Sequence, residues 1–275
     1  TQRASADGQH PPMPEGPEIR RAADQLAKAV IGDRLVHVEL NLPTLARRAK
    51  ALVGQRVLSI TPRGKALLTR FDGGLSLYSH NQLYGVWKVA KAGERPETTR
   101  SLRVVLETAK KALLLYSATD ITLLDDRGVA AHPFLSKLGP DVLDDSTTVA
   151  QVEARLADRG FAGRQLGALL LDQGFLGGLG NYLRSEILFD AGLLPMRRPK
   201  DLDADERARL AEACLRIPRL SYSTRGRRGK AYSADGAFRF AVFDREGYPC
   251  IACGTTIERQ EVGSRRLYWC PRCQD

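Results

Sequence analysis

The chain has 275 residues, enough for one large domain or two ordinary ones, and 43% of them are hydrophobic, which is typical of a folded protein and excludes a disordered one. Its 42 lysines and arginines outnumber its 32 aspartates and glutamates, which gives a net charge of +10. This charge has two equally supported interpretations: a polyanionic partner, with nucleic acid the first choice, or surface charge that only keeps the protein soluble. The most apolar stretch, 166–183, contains Asp172, Gln173 and Asn181, which excludes a bare membrane-spanning helix, and the N-terminus lacks the apolar core of a secretory signal.

The first half of the chain has the pattern of a β-rich domain with a leading helix. Residues 1–12 are polar and aperiodic, and we expect a disordered extension there. A helix with one apolar face is predicted from Pro17 to just before Gly32. Short stretches typical of strands then predict a β-sandwich, and the whole domain spans 13–135. These stretches are 35–40, 56–61, 66–71, 75–79, 86–89, 102–107 and 112–117.

The second half is predicted to be helical, so the fold class is α+β with several domains. Helical spacing is found at 148–157, 164–173, 179–191 and 203–216, and a glycine-rich turn at 174–180 joins the middle pair. The basic, glycine-containing segment 221–236 is expected to be a mobile loop. We assign 136–236 to a helical domain and 237–275 to a separate unit that carries four cysteines.

The four cysteines predict a zinc ribbon. They form two C-x-x-C pairs separated by sixteen residues, so a hairpin brings both pairs to one tetrahedral ion: Cys250, Cys253, Cys270 and Cys273. Because protein thiolates fill all four positions, we expect one structural Zn²⁺ ion. A redox role needs one such pair beside a βαβ unit, and that context is missing. The fifth cysteine, Cys214, has apolar helical neighbours and is predicted to be a buried, inert thiol.

The stretch MPEGPE at 13–18 has two interpretations. In the structural one it is a proline-rich helix start, in which Glu15 and Glu18 favour the helix N-terminus. In the chemical one, Pro14 becomes N-terminal after removal of Met13, and its secondary amine attacks a carbon electrophile to form an iminium. Glu15 is then placed to protonate a sugar oxygen or a leaving group.

Six blocks in order give the chain a family resemblance. They are MPEGPEIRRAAD at 13–24, RGKALL at 63–68, YSHNQLYGVW at 78–87, HPFL at 132–135, LLLDQGFLGGLGNYLRSEIL at 169–188 and SRRLYWCPRC at 264–273. With these blocks the chain resembles the formamidopyrimidine-DNA glycosylase/endonuclease VIII family of base-excision DNA glycosylases, and the endonuclease VIII branch most closely. The resemblance extends from Met13 to the C-terminus.

The resemblance implies a bifunctional glycosylase and AP lyase. Such an enzyme removes oxidised pyrimidines from duplex DNA through a Schiff base and cleaves the strand by β,δ-elimination. Pro14 would be the nucleophile and Glu15 the proton donor. Lys65 matches the general acid/base of β-elimination, although a lone lysine is usually just solvated. Arg265, on the cysteine hairpin, matches the residue of phosphate binding and δ-elimination.

The resemblance also implies a set of DNA contacts. Asn181 would grip the backbone from the glycine-rich turn of a helix–two-turn–helix motif. The loop formed by Gln82, Leu83 and Tyr84 would enter the duplex, since an amide, an apolar wedge and an aromatic ring suit the gap left by a flipped base. Without the resemblance, an ordinary hairpin tip is an equally good interpretation of these three residues. Lys137 stands where endonuclease VIII has arginine, and lysine keeps the charge without the bidentate fork.

The resemblance leaves three functions open. With residues 1–12 attached, the nitrogen of Pro14 is an amide, so we expect translation to start at Met13 and methionine to be removed. The first function is the oxidised-pyrimidine glycosylase; the others are an oxidised-purine glycosylase of the same family and a non-catalytic binder of damaged DNA.

We expect the protein to act as a monomer on damaged duplex DNA. We expect it in a bacterial-type cytoplasm, associated with the nucleoid through DNA, and with no membrane partner. No Walker A or G-x-G-x-x-G motif is present, so neither a nucleotide nor a redox cofactor is expected.

Overall fold

The computed structural model describes residues 14–82, 84–224, 238–262 and 264–275. The predicted extension 1–12, Leu83 and residues 225–236 of the predicted loop lie outside the described residues. Within the described ranges, a helix and two sheets come first, helices follow, and a two-stranded hairpin ends the chain. This is the predicted fold class.

The first helix, α1 (Gly16–Val30), covers one side of the sandwich. Glu18 Oε2 accepts a hydrogen bond of 3.1 Å from Glu15 N, which satisfies one backbone donor at the helix start. Ile19, Ala23, Leu26 and Val30 recur on one face and are buried in the sandwich core. The apolar spacing in the sequence predicts this helix correctly.

Eight strands form two antiparallel four-stranded sheets. One sheet has the order β1-β6-β7-β5 and the other β2-β3-β4-β8. The sequence missed β8, whose five residues pair with β4 as an edge strand and so depend on a tertiary contact. The strands are β1 (Leu35–Leu40), β2 (Val57–Arg63), β3 (Ala66–Phe71), β4 (Ser76–His80), β5 (Val86–Lys91), β6 (Leu102–Thr108), β7 (Lys111–Tyr116) and β8 (Asp120–Leu124).

Six helices follow the sandwich: α2 (Asp126–Ala131), α3 (Val149–Ala157), α4 (Arg159–Ala162), α5 (Leu166–Leu169), α6 (Asn181–Ala191) and α7 (Ala204–Thr224). Three short 3-10 turns, Ala46–Leu52, Leu135–Lys137 and Pro199–Asp201, complete the helical elements that the structure describes. The helices α3, α5, α6 and α7 enclose one apolar core that includes Cys214, which is fully buried as predicted.

Two helix predictions were wrong in extent. The helix predicted at 164–173 is reduced to α5, because Leu166 N and Gly167 N donate to Arg197 O and Pro195 O, and Asp172 caps the turn that follows. The helix predicted to end at residue 216 continues as α7 to Thr224, so residues 221–224 of the predicted loop are helical. Pro218 lies inside α7, where continued burial outweighs the loss of one backbone hydrogen bond.

The C-terminal hairpin, β9 (Glu258–Val262) and β10 (Arg265–Trp269), packs on the helical core. Leu267 and Trp269 are buried in that core, whereas Tyr268 faces a smaller cluster with Cys250 and Cys270. The hairpin is therefore fixed to the helical part through one face of β10.

Candidate active site and metal centre

Glu15 is held by a helix that lies far away in the sequence. Its carboxylate accepts hydrogen bonds from Tyr182 N at 2.8 Å and from Leu183 N at 3.2 Å, in the first turn of α6. A Cβ on Gly180 would lie 2.3 Å from Glu15 Cδ, so only glycine permits this approach. Glu15 is 3% exposed, and the half-buried Pro14 directly precedes it at the same helix terminus.

Burial dominates the electrostatics of Glu15. Desolvation raises the pKa of its carboxyl to about 7, against the lowering effects of the Lys65 charge and the two N–H donors, while Glu18 adds a small rise. Near neutral pH this carboxyl therefore exists in both protonation states. A group with this pKa is suited to donate a proton.

Lys65 lies at the tip of the hairpin between β2 and β3, close enough to Glu15 for their charges to interact. Burial lowers the pKa of its ammonium group; the charge of Glu15 opposes this change, whereas Arg265 and Arg184 reinforce it. These mutual effects place Glu15, Lys65 and Arg265 in one cluster. The structure thus brings together predicted catalytic residues from the sandwich, its leading segment and the hairpin.

Arg184, which the sequence analysis missed, supports this cluster from inside the protein. It is fully buried on α6 and donates to Gly167 O at 2.8 Å, to Arg265 O at 3.2 Å and to Arg266 O at 3.4 Å. Burial and the nearby Arg265 lower its pKa to about 10. The available signal was an arginine that follows Leu183 and precedes the apolar pair Ile187 and Leu188, since a charge buried among such residues requires specific partners.

Replacing Arg184 is expected to destabilise the protein through the hairpin. Arg184→Met removes a buried donor that bonds to the carbonyls of Gly167 and Arg265, at a cost of about 3 kcal/mol of unfolding free energy. Urea denaturation measures this loss. Arg216→Met, which removes an exposed arginine of α7, is the control and should cost much less; equal costs would contradict the supporting role of Arg184.

Glu186 is a second buried charge that the sequence analysis missed. Its carboxylate accepts hydrogen bonds from Ala241 N at 2.8 Å, Val242 N at 3.1 Å and Phe243 N at 2.8 Å. Burial raises its pKa, and the three N–H donors oppose that rise. Together with Arg184, it fixes the segment before the cysteines and the hairpin to α6.

The predicted DNA-binding residues occupy three places. Asn181 is the first residue of α6, and its buried Oδ1 has no hydrogen-bond partner among the described residues. Gln82 and Tyr84 lie in the turn between β4 and β5, where Tyr84 is 64% exposed and Gln82 has a left-handed φ of 49°. Leu83 lies outside the described residues. Lys137 is exposed at the end of its 3-10 turn, in the linker before the helices.

The turn at Gln82 lies near Lys65, with His80 between them. Gln82 N donates a 3.0 Å hydrogen bond to His80 Nδ1, and Thr119 Oγ1 donates one of 3.0 Å to Gln82 Oε1. His80 in turn has its pKa lowered by burial and by the charge of Lys65, although Asp120 opposes this effect. The exposed turn therefore contacts a histidine that lies close enough to Lys65 to be affected by its charge.

The four cysteine sulfurs fit a single zinc ion. All of them lie within 4.8 Å of one another, with 3.9 Å between Cys250 Sγ and Cys273 Sγ and 3.5 Å between Cys253 Sγ and Cys270 Sγ. A tetrahedral ion with Zn–S bonds of about 2.3 Å separates its sulfurs by about 3.8 Å. Four thiolates leave no open coordination position, so the ion is structural.

Three family models match the chain. The formamidopyrimidine-DNA glycosylase N-terminal domain matches residues 13–131, the formamidopyrimidine-DNA glycosylase H2TH domain matches 138–226, and the zinc finger found in FPG and IleRS matches 247–275. Curated relatives named Endonuclease 8 are 55% identical in Klebsiella pneumoniae (strain 342) and 53% identical in Escherichia coli (strain K12 / DH10B), each over 95% of this chain and 100% of the relative.

Solved structures show the same fold at low sequence identity. Lactococcus lactis Fpg in complex with abasic-site DNA matches with a TM-score of 0.79 and 23% identity, over 95% of this chain and 99% of that one. The LlFpg protein with THF-DNA and an inhibitor matches with a TM-score of 0.80 and 23% identity, over 95% and 100% of the two chains.

The fold and the metal centre define a DNA-repair protein with a helix–two-turn–helix domain and a zinc finger. The chain belongs to the formamidopyrimidine-DNA glycosylase/endonuclease VIII family, as its sequence predicted. It is a base-excision DNA glycosylase and AP lyase with one structural zinc ion. No helix in the described part of the chain is long and apolar enough to span a bilayer.

Proposed function

We propose that this enzyme removes oxidised pyrimidines from duplex DNA with Pro14 as its nucleophile. The observation that carries the proposal is the buried Glu15 carboxyl, whose pKa is raised to about 7, beside Lys65 and directly after Pro14. The preference for pyrimidines is supported by 53–55% identity to proteins named Endonuclease 8 over their whole length. The chemistry requires an enzyme whose N-terminus is Pro14, since an amide nitrogen is not a nucleophile.

In the first step, the free amine of Pro14 attacks the anomeric carbon of the damaged nucleotide. A C–N bond to Pro14 forms while the C–O bond of the sugar ring breaks, and the ring oxygen keeps that electron pair and takes the proton of Glu15. The proton of the attached Pro14 nitrogen then passes to the damaged base, the glycosidic bond breaks with its electron pair on the base, and an iminium links Pro14 to the open sugar. The N–H groups of Tyr182 and Leu183 stabilise the carboxylate that Glu15 becomes.

In the second step, Lys65 removes a proton from the sugar carbon next to the iminium. The lowered pKa of Lys65 increases the fraction of free amine available for this step. The electron pair of the C–H bond expels the 3′ phosphate, which is β-elimination. Arg265 binds the phosphate groups and assists the second, δ-elimination, because its guanidinium neutralises the charge on the leaving phosphate.

The DNA contacts are proposed to surround the cluster of Glu15, Lys65 and Arg265. Asn181 and Lys137 bind phosphates, and Gln82, Leu83 and Tyr84 fill the space of the flipped nucleotide. We propose that the chain has three domains, at 13–135, 136–236 and 237–275. We propose further that the protein acts as a monomer in the cytoplasm and has no membrane partner. Size-exclusion chromatography with light scattering, with and without a duplex, tests the monomer.

Borohydride trapping tests the proposal, because it reduces the iminium to a stable protein–DNA adduct. The Pro14-terminal enzyme is expected to form the adduct with a duplex containing thymine glycol, faster than with one containing 8-oxoguanine. The full chain with residues 1–13 is the matched control and is expected to give none. Faster trapping on 8-oxoguanine would favour the oxidised-purine glycosylase, and binding of both duplexes without any adduct would favour the non-catalytic binder.

The rate of base excision is expected to have a maximum near neutral pH. Above a pH of about 7, the protonated fraction of Glu15 falls about tenfold per pH unit, and the excision rate falls with it. Toward acid pH the rate falls because the Pro14 amine becomes protonated. Single-turnover excision measured from pH 5 to pH 9 checks this profile; a rate that keeps rising to pH 9 would contradict the role of Glu15 as the acid.

A further inference from the structure

The side-chain amide of Gln173 braces the glycine-rich turn that leads into α6. Its Nε2 group donates hydrogen bonds to Leu171 O at 3.1 Å and to Leu179 O at 2.8 Å. Its Oε1 atom accepts a hydrogen bond of 3.0 Å from Gly178 N. One side chain therefore connects the backbone before the turn with the last residues of the turn.

The bond to Leu179 O keeps an N–H group of α6 available for Glu15. In a continuous α-helix, Leu183 N would donate to Leu179 O, four residues earlier. Here α6 begins later, and Leu183 N bonds to Glu15 Oε2 at 3.2 Å instead. Gln173 Nε2 is the donor to Leu179 O in its place. Without this amide, the carbonyl of Leu179 is left to compete with Glu15 for Leu183 N.

Gly178 takes part in the same exchange. Tyr182 N, which in a continuous helix would donate to Gly178 O, bonds to Glu15 Oε1 at 2.8 Å. Gly178 O accepts a hydrogen bond of 2.8 Å from Gly16 N instead. Gly178 has a left-handed φ of 95°, and the bond that its N–H donates to Gln173 Oε1 holds it in this conformation. Both carbonyls before α6 are thus paired outside the helix, and both N–H groups are directed at Glu15.

The two N–H donors act on the proton of Glu15 together with three charged groups. Burial raises the pKa of the Glu15 carboxyl, the charge of Lys65 and the two donors lower it, and Glu18 raises it. The charge of Arg184 also interacts with that of Glu15. Gln173 is uncharged, so its replacement disturbs the donors and leaves these three charges in place.

We propose that Gln173 is a positioning residue for the proton donor, which keeps the first N–H groups of α6 directed at Glu15 by bonding to Gly178 and Leu179. The proposal rests on the proposed role of Glu15 as the acid of base excision. Because Gln173 acts through Glu15, its replacement slows excision of the base. It slows cleavage of a preformed abasic site much less, since that site reacts without opening of the sugar ring.

Single-turnover excision from a thymine glycol duplex between pH 5 and pH 9 tests the proposal in the Pro14-terminal enzyme. Gln173→Met keeps the length of the side chain and removes its three hydrogen bonds. It is expected to slow excision about tenfold, since small displacements of reacting groups are costly. The alkaline limb of the pH profile is expected to move to higher pH, because a carboxyl that loses N–H donors has a higher pKa and keeps its proton longer.

Two further variants separate positioning from loss of fold. Gln151→Met, at an exposed glutamine whose Oε1 accepts a hydrogen bond from Thr148 N, is the matched control and should change neither the rate nor the profile. Gln173→Asn keeps an amide that is one methylene shorter, so it is expected to lose less excision than Gln173→Met and to move the limb in the same direction. Borohydride trapping on a preformed abasic site counts the active enzyme, and each excision rate is expressed relative to that count.

A double variant tests whether the two residues act as one unit. In the Glu15→Gln background, Gln173→Met is expected to cause little further loss of excision, because such residues are not additive. Normal excision by the Gln173 variants, an unmoved alkaline limb, equal losses of excision and abasic-site cleavage, or a full further loss in the double variant overturns the proposal. Normal excision by Glu15→Gln overturns the role of Glu15 and this proposal with it, which distinguishes the two failures.

Discussion

Glu15→Gln is expected to lower the rate of base excision by about 10²–10⁴, the usual contribution of a positioned general acid. Glutamine has the same shape and retains one acceptor for the N–H groups of Tyr182 and Leu183, but it has no proton to give. Single-turnover excision from a thymine glycol duplex measures the loss. Cleavage of a preformed abasic site should fall less, because the open-chain aldehyde of that site reacts with Pro14 without opening of the sugar ring.

Asp24→Asn is the control variant, because it makes the equivalent carboxyl-to-amide change at a position outside the proposed site. Asp24 is an exposed carboxylate on α1, the helix that Glu15 precedes, and it bonds to Tyr222 at 2.6 Å. Its replacement should leave excision near the normal rate. The circular dichroism spectrum and the unfolding midpoint of both variants report whether the fold is retained. Excision by a folded Glu15→Gln enzyme at the rate of the unmodified one would rule out the proposed acid.

The part of the fold that the sequence predicted depends on local patterns. The C-x-x-C pairs need only a hairpin between them, and the apolar spacing of α1 is repeated along one helix. The six blocks predict the family, which the family models and the Endonuclease 8 relatives confirm. Each of these signals lies within about twenty residues of chain, which is the range over which spacing predicts structure.

The supporting residues were missed because their partners are distant in the sequence. Arg184 bonds to carbonyls of the hairpin, and Glu186 bonds to the N–H groups at 241–243. Nothing in the local pattern around these two residues identifies such partners. Pro218 shows the converse error, since a local rule predicts a helix end where tertiary packing continues α7.

The zinc ion is expected to be required for the proposed phosphate contact of Arg265 rather than for the proposed chemistry at Pro14. Cys270 lies at the end of β10, directly after the buried Trp269, so loss of this ligand releases the strand that carries Arg265. Cys270→Ser should therefore lose zinc and bind duplex DNA about tenfold more weakly, the value of one charge-assisted hydrogen bond.

Metal analysis and fluorescence anisotropy at several salt concentrations measure both effects. Each lost phosphate contact lowers the slope of log affinity against log salt by about 0.9, so Cys270→Ser should lower it at least as much as Arg265→Ala does. Cys214→Ala removes the one cysteine outside the cluster and should retain the zinc and the full slope. A Cys270→Ser protein without zinc that keeps the full salt slope would contradict this arrangement, because Arg265 would then reach the phosphate without the metal that fixes its hairpin.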